Sequence, residues 1–243
     1  MTLGLALAVN ILQYWSIRIR GPIPLERRAL WLHAACRRVM AAIGVRLSVE
    51  GVIPQHGLVV SNHLGYIDIL IYGAIMPCFF VSKIEVRRWP YFGWAAHSGG
   101  ALFLDRARRA SAAATAQGIA ERLSLAVPVL FFPEGTSTDG SQLLPFHTAL
   151  FEPAILAQAP VTAAAIRYSV GDGTPERDLC WFADMLLLPH LWKVLGTRGF
   201  TARVQFAEPR TYASRREAAQ DIHTQVAKMR SAAVPNPSLS SAD

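Results

Sequence analysis

Cysteine is scarce in this chain: Cys36, Cys78 and Cys180 are the only three in 243 residues, and each stands far from the others. An odd count without paired spacing argues against a disulfide framework and against a cysteine-built zinc site, and it fits a reducing, cytoplasmic-side location. Acidic residues are nearly missing from residues 1–46, where Glu26 faces Arg18, Arg20, Arg27, Arg28, Arg37, Arg38 and Arg46. No charge-free run reaches the length of a membrane span in the body of the chain, which argues against a polytopic membrane protein. The sequence has no internal repeat and no G-x-S-x-G elbow of the kind that presents a nucleophilic serine. No cation precedes the first apolar run, so a cleaved signal peptide is not expected.

What is present is apolar material, 52% of the chain, and a net charge of +7. That is enough for one large domain with a full core. The lead "MTLGLALAVNILQYWSI" is uncharged but contains Asn10 and Gln13. It is short for a span, so it either crosses the bilayer or lies in the interface. If it crosses, "RIR" at 18–20 keeps the following domain on the cytoplasmic side of the inner membrane. The arginines behind it alternate with Leu25, Leu30, Trp31, Leu32, Val39, Met40 and Ile43. Residues 1–46 are therefore expected to be a helical segment that associates with an anionic membrane surface. The competing reading is a solvated helix covering the domain.

Beyond residue 46, β-like runs alternate with helical patterns. The runs are "RLSVEGV", "GLVVS", "CFFVS", "GALFLD", "VPVLFFP", "VTAAAIRY" and "TARVQFA", and the helical stretches lie near 66–76, 85–97, 106–125, 148–158, 180–195 and 214–231. The pattern predicts an α/β domain over 47–231, with a mixed, largely parallel sheet and helices on both faces. "SRRE" predicts a capping box between Ser214 and Glu217. The tail 232–243, with two prolines and little apolar content, is expected to be disordered.

Three polar clusters follow strands, where ligands gather in such sheets. In "NHLGYID", His63 is suited to general-base work and Asp68 to holding the other ring nitrogen. Five residues on an ideal helix leave two side chains about 140° apart, so the pair requires a bend, with Gly65 as its relief. The bland alternative is a turn histidine and a solvated aspartate. In "GALFLDRARR", Arg106 leads a guanidinium cluster suited to a phosphate or carboxylate, and Lys83 ends "CFFVSK" in a similar place. In "FFPEGTSTDG", Glu134 is a candidate acceptor for a substrate hydroxyl, and the turn at Gly135 a candidate anion nest. A second pair at the same five-residue spacing, His147 and Glu152, has no glycine between its members and reads as structural. No metal site is expected.

In this order, "NHLGYID" (62–68), "GALFLDR" (100–106), "PEGTS" (133–137) and "APVTAAAI" (159–166) resemble the N-H-x4-D, G-x-x-F-x-x-R, E-G-T-R and late apolar motifs of the glycerolipid acyltransferases, over roughly residues 45–210. The resemblance implies transfer of a fatty acyl group from an acyl carrier protein or coenzyme A thioester to a lysolipid hydroxyl, with no cofactor beyond that co-substrate. It assigns His63 as base and Asp68 as its orienter. Arg106 would hold the acceptor head group, and Asn62, Lys83, Glu134, Gly135, Thr136 and Ser137 would complete the substrate site. Position 137 is serine where phosphate-handling members carry arginine. The branch that acylates lyso-ornithine lipid therefore ranks ahead of 1-acylglycerol-3-phosphate as acceptor. A thioester or ester hydrolase and a non-catalytic lipid-binding protein are the alternatives. No nucleic-acid partner is expected.

Overall fold

The structure is a computed structural model that describes residues 1–105, 107–197 and 199–232. Its centre is one sheet of seven strands: β1 (Arg46–Glu50), β2 (Leu58–Ser61), β3 (Phe79–Lys83), β4 (Leu102–Leu104), β5 (Val129–Phe131), β6 (Val161–Ser169) and β7 (Thr201–Phe206). They lie side by side in the order β1-β7-β6-β2-β5-β3-β4. The five from β6 to β4 are parallel, while β7 runs antiparallel to β6 and parallel to β1. Each expected strand is present. All four residues of β2 are buried, with Val59 toward one face and Leu58 and Val60 toward the other. Continuous apolar runs of this kind are what a parallel sheet covered on both faces demands.

One face is covered by α2 (Leu25–Ala42) and α3 (Tyr66–Ile75), with α4 (Phe92–Ser98) and α7 (Leu187–Leu195) at its margin. The other is covered by α5 (Arg109–Leu123), α6 (Glu152–Leu156) and α8 (Arg215–Ser231). Several helices are shorter than their sequence patterns. The pattern at 85–97 splits around Pro90 into a 3-10 turn at Ile84–Arg88 and α4, because proline has no N–H to continue the ladder. The pattern at 148–158 divides likewise into a 3-10 turn at Ala149–Phe151 and α6. Residues 180–186 stay out of α7, and the Trp181 N–H there donates to the Leu64 carbonyl at 2.8 Å. Only half of the expected capping box forms: Ser214 accepts from the Glu217 N–H at 3.2 Å, but the Glu217 carboxylate reaches Ala213 rather than Ser214. The expectation for the tail falls on residues 233–243, which lie outside the described residues.

The uncharged lead forms α1 (Leu3–Arg18), and its polar residues have intramolecular partners. Asn10 is fully buried. Its amide donates to the Tyr91 hydroxyl at 2.8 Å and accepts from Arg38 Nε at 2.6 Å, while its backbone carbonyl accepts from Trp31. Arg38 also donates to Gln13. Buried and mutually satisfied, this network fixes α1 against α2. Leu32, Cys36, Val39 and Met40 place the inner face of α2 in the main core. Among the described residues no helix is long and apolar enough to cross a membrane.

Candidate acyl-transfer site

All five parallel strands point their carboxyl ends to one edge, and the residues there line a cavity of about 490 Å³. The bend needed by His63 and Asp68 is built at Gly65, the N-cap of α3. Its φ of 156° favours glycine, and a Cβ there would approach Trp181 Cβ and N to 3.0 Å. Because α3 begins only at Tyr66, His63 stands outside the helix and Asp68 in its first turn. The divergence of an ideal helix therefore does not apply. Asp68 Oδ2 accepts from the Leu64 and Gly65 N–H groups at 2.6 and 3.0 Å, which caps the helix, and from His63 Nδ1 at 2.7 Å. A carboxylate only accepts, so Nδ1 carries the proton and Nε2 is left as the basic nitrogen.

Asp68 is fully buried, and its second oxygen, Oδ1, accepts from the Tyr168 hydroxyl at the end of β6. Burial, reinforced by the neighbouring carboxylate, pushes the Tyr168 hydroxyl well above its usual range, so it remains a donor. Tyr168 is itself anchored, its backbone N–H donating to Glu176 at 2.8 Å and Glu176 pairing with Arg230 at 2.9 Å. The imidazole of His63 stacks on Phe132 with centroids 4.1 Å apart and planes 13° from parallel. Bond, cap and stack together hold one ring orientation.

The other expected site residues divide. Lys83, Gly135 and Ser137 line the cavity with His63. Asn62 does not: its amide bridges β2 to β6 by bonding the Ile166 N–H at 2.9 Å and the Ile166 carbonyl at 3.2 Å. Glu134 is 4% exposed, and its two oxygens accept from the His63 and Leu144 N–H groups at 2.8 and 2.9 Å. In place of a substrate hydroxyl it holds the backbone of the histidine itself. Its carboxyl is pushed above the usual range, chiefly by burial. The Gly135 N–H is directed at the Phe132 carbonyl at 3.3 Å. Thr136 is exposed outside the cavity wall. Arg106 lies outside the described residues.

Sequence reasoning missed Tyr168 and Phe132. Tyr168 is 100 residues from Asp68, and in the sequence it is one residue of a strand pattern. Phe132 had one available signal, its place between the strand and Glu134.

A family model for the acyltransferases matches residues 45–167, half of the chain. The chain belongs to the acyltransferase family. Among relatives within it, the lyso-ornithine lipid O-acyltransferase of Rhodobacter capsulatus is 40% identical over 72% of this chain and 65% of its own length. The enzyme of that name from Pseudomonas aeruginosa is 38% identical over 85% of this chain and 81% of its own. The 1-acyl-sn-glycerol-3-phosphate acyltransferase of Neisseria meningitidis is 35% identical over 70% and 68%. The crystal structure of the 1-acyl-sn-glycerophosphate acyltransferase of Thermotoga maritima shares the fold, with a TM-score of 0.64 at 18% identity, covering 93% of this chain and 89% of that one. The family match contains both members of the His63–Asp68 pair and the turn at Glu134.

Proposed function

We propose that the chain is a membrane-associated O-acyltransferase of lipid biosynthesis, moving a fatty acyl group from an acyl carrier protein or coenzyme A thioester to a lysolipid hydroxyl. The observation that carries this is the His63–Asp68 bond of 2.7 Å at the wall of a cavity large enough for two substrates' reacting ends. His63 Nε2 takes the proton of the lysolipid hydroxyl as its oxygen attacks the thioester carbonyl. Asp68 holds the imidazolium that forms, and Tyr168 steadies Asp68. The tetrahedral adduct collapses to the new ester, and the departing thiolate takes the proton back from His63. No acyl-enzyme is required.

The cavity walls support an acyl substrate. Ile69, Val81, Val86, Leu104 and Leu150 line them, and a narrower apolar void that shares Ile69, Val86 and Trp89 continues toward Val39 and Phe80. Lyso-ornithine lipid is the leading acceptor and 1-acylglycerol-3-phosphate the second. The support is Ser137, a residue of the cavity wall that carries a hydroxyl where the phosphate-handling pattern has a guanidinium. N-terminal docking on the inner membrane is supported by Arg18, Arg20, Arg27 and Arg37, all exposed, beside the apolar surface of α1.

The test is an acceptor panel with purified protein, offering both lysolipids under both donors. Preferred acylation of lyso-ornithine lipid is expected. Equal use of the two acceptors would remove the argument from Ser137, and release of free fatty acid alone would make the protein a hydrolase.

A further inference from the structure

Helix α7 is apolar on two sides. Inward, Leu191 and Val194 line a cleft whose wall also includes Leu3 and Leu7, so α7 and the amino-terminal end of α1, far apart in sequence, flank one cleft. Outward, Leu188 and Trp192 are 66% and 73% exposed, and at four residues' separation they share one helical face. Leu186, just before the helix, is 72% exposed. Across the cleft, α1 exposes Leu5, Leu12 and Trp15. Scattered single apolar residues on a surface are ordinary, but large ones gathered on adjoining helices mark an interaction site.

We propose that α7 is a second bilayer-docking element, set beside α1 at the mouth of the reaction cavity. This rests on the lysolipid reading above and specifies where the acceptor enters. The exposed face is continuous with the site, because Met185, Leu186 and Leu187 line the cavity itself. A lysolipid passes from the leaflet along these residues to His63 with its chain never crossing water. The chemistry of the face suits an interface: Trp192 has an apolar body with one N–H, and Lys193 beside it, bridged to Asp178 at 3.3 Å, lies at the rim. His190, on the buried side, is held below its usual pKa mainly by burial, and so adds no charge.

Charge chooses the occupant. Arg18 and Arg20 are exposed just beyond Trp15 at the carboxyl end of α1, and Arg27 and Arg37 are exposed on α2, with Glu26 their one acidic neighbour in residues 1–46. Anionic lipid complements that collar. A second copy of the chain docked by the same face about a two-fold axis would set these arginines against one another.

The three native cysteines are buried, which permits site-specific labelling. An environment-sensitive fluorophore is placed at Leu188→Cys, at Leu12→Cys on α1, and at Gln220→Cys on exposed α8 as a remote control. Vesicles of phosphatidylethanolamine and phosphatidylglycerol are expected to blue-shift the label at 188 and at 12 and leave 220 unchanged. In parallel, the double variant Leu188→Ser/Trp192→Ser is expected to lose about tenfold or more of the transfer to lysolipid carried in vesicles, with transfer in detergent micelles kept. A shift at 12 without one at 188, or no shift at either, would overturn the proposal. So would a shift at 188 that grows with protein concentration in the absence of vesicles, which means that a second copy covers the face. If the unsubstituted protein transfers no acyl group even in micelles while the label at 188 still inserts, the docking surface stands and the acyl-transfer reading fails.

Discussion

Two stretches of this molecule place a histidine five residues before a carboxylate, and only one brings them together. At His63–Asp68 the helix starts after the histidine, Gly65 turns the chain, and the carboxylate swings back to cap the helix and meet the ring at 2.7 Å. At His147–Glu152 a 3-10 turn and α6 run from Ala149 to Leu156 without a glycine. His147 is exposed, its N–H bonds the Pro133 carbonyl, and Glu152 approaches Arg215 at 3.6 Å instead. In both stretches the helical run begins after the histidine; the difference is the cap. Asp68, at the third helical position, reaches back to the Leu64 and Gly65 N–H groups and so to His63. Glu152 follows a 3-10 turn, caps nothing among the described residues and points to Arg215.

The comparison can be broken most severely at the carboxylate. Asp68→Asn is expected to lower kcat by about 10²–10⁴-fold, the usual worth of a positioned acid–base group, with the fold retained by circular dichroism. An activity near that of the unsubstituted protein would mean that the 2.7 Å contact is only a cap. Gly65→Ala attacks the bend. Its positive φ and the 3.0 Å approach to Trp181 predict a loss of about 1–3 kcal/mol in stability and a clear fall in activity, both read from denaturant unfolding and initial rates.

Tyr168→Phe is a gentler change. Three of the four donors to Asp68 reach Oδ2, so Oδ1 would be left bare in a buried site. With that bond gone Asp68 orients the imidazole less firmly, and kcat is expected to fall by about tenfold with KM little changed, as when one positioning hydrogen bond is lost. A kcat equal to that of the unsubstituted protein would make Tyr168 a packing residue. The smallest effect belongs to the control pair: His147→Ala and Glu152→Gln should each stay within about twofold in rate, as surface changes do.

These contrasts also mark how far the sequence could be read. The strands β2, β5 and β6 were legible because parallel strands, buried on both faces, leave short unbroken apolar runs between turn residues, and β7 because its residues alternate between buried and half-buried. The pairing of His63 with Asp68 was legible because Gly65 announces a departure from helical geometry. Arg106 was legible as a strand-end cation, but it lies outside the described residues. Glu134 was legible as a strand-end carboxylate, but not in what it does. That both its oxygens would be taken by backbone N–H groups depends on the path of the 134–144 loop, which no local pattern encodes. Tyr168 was invisible for the same kind of reason, since only the sheet order that sets β6 beside β2 brings it to Asp68. Asn10 and Gln13 stand as polar exceptions in the apolar lead, and the fold makes them the polar pin between α1 and α2.

The account rests on His63 acting as the base, and His63→Ala tests it most directly. Acyl transfer from a thioester donor to lysolipid is measured alongside binding to anionic vesicles and the unfolding midpoint. Transfer is expected to vanish while vesicle binding and the midpoint stay close to those of the unsubstituted protein. A variant that still acylates lysolipid at a comparable rate would contradict the mechanism.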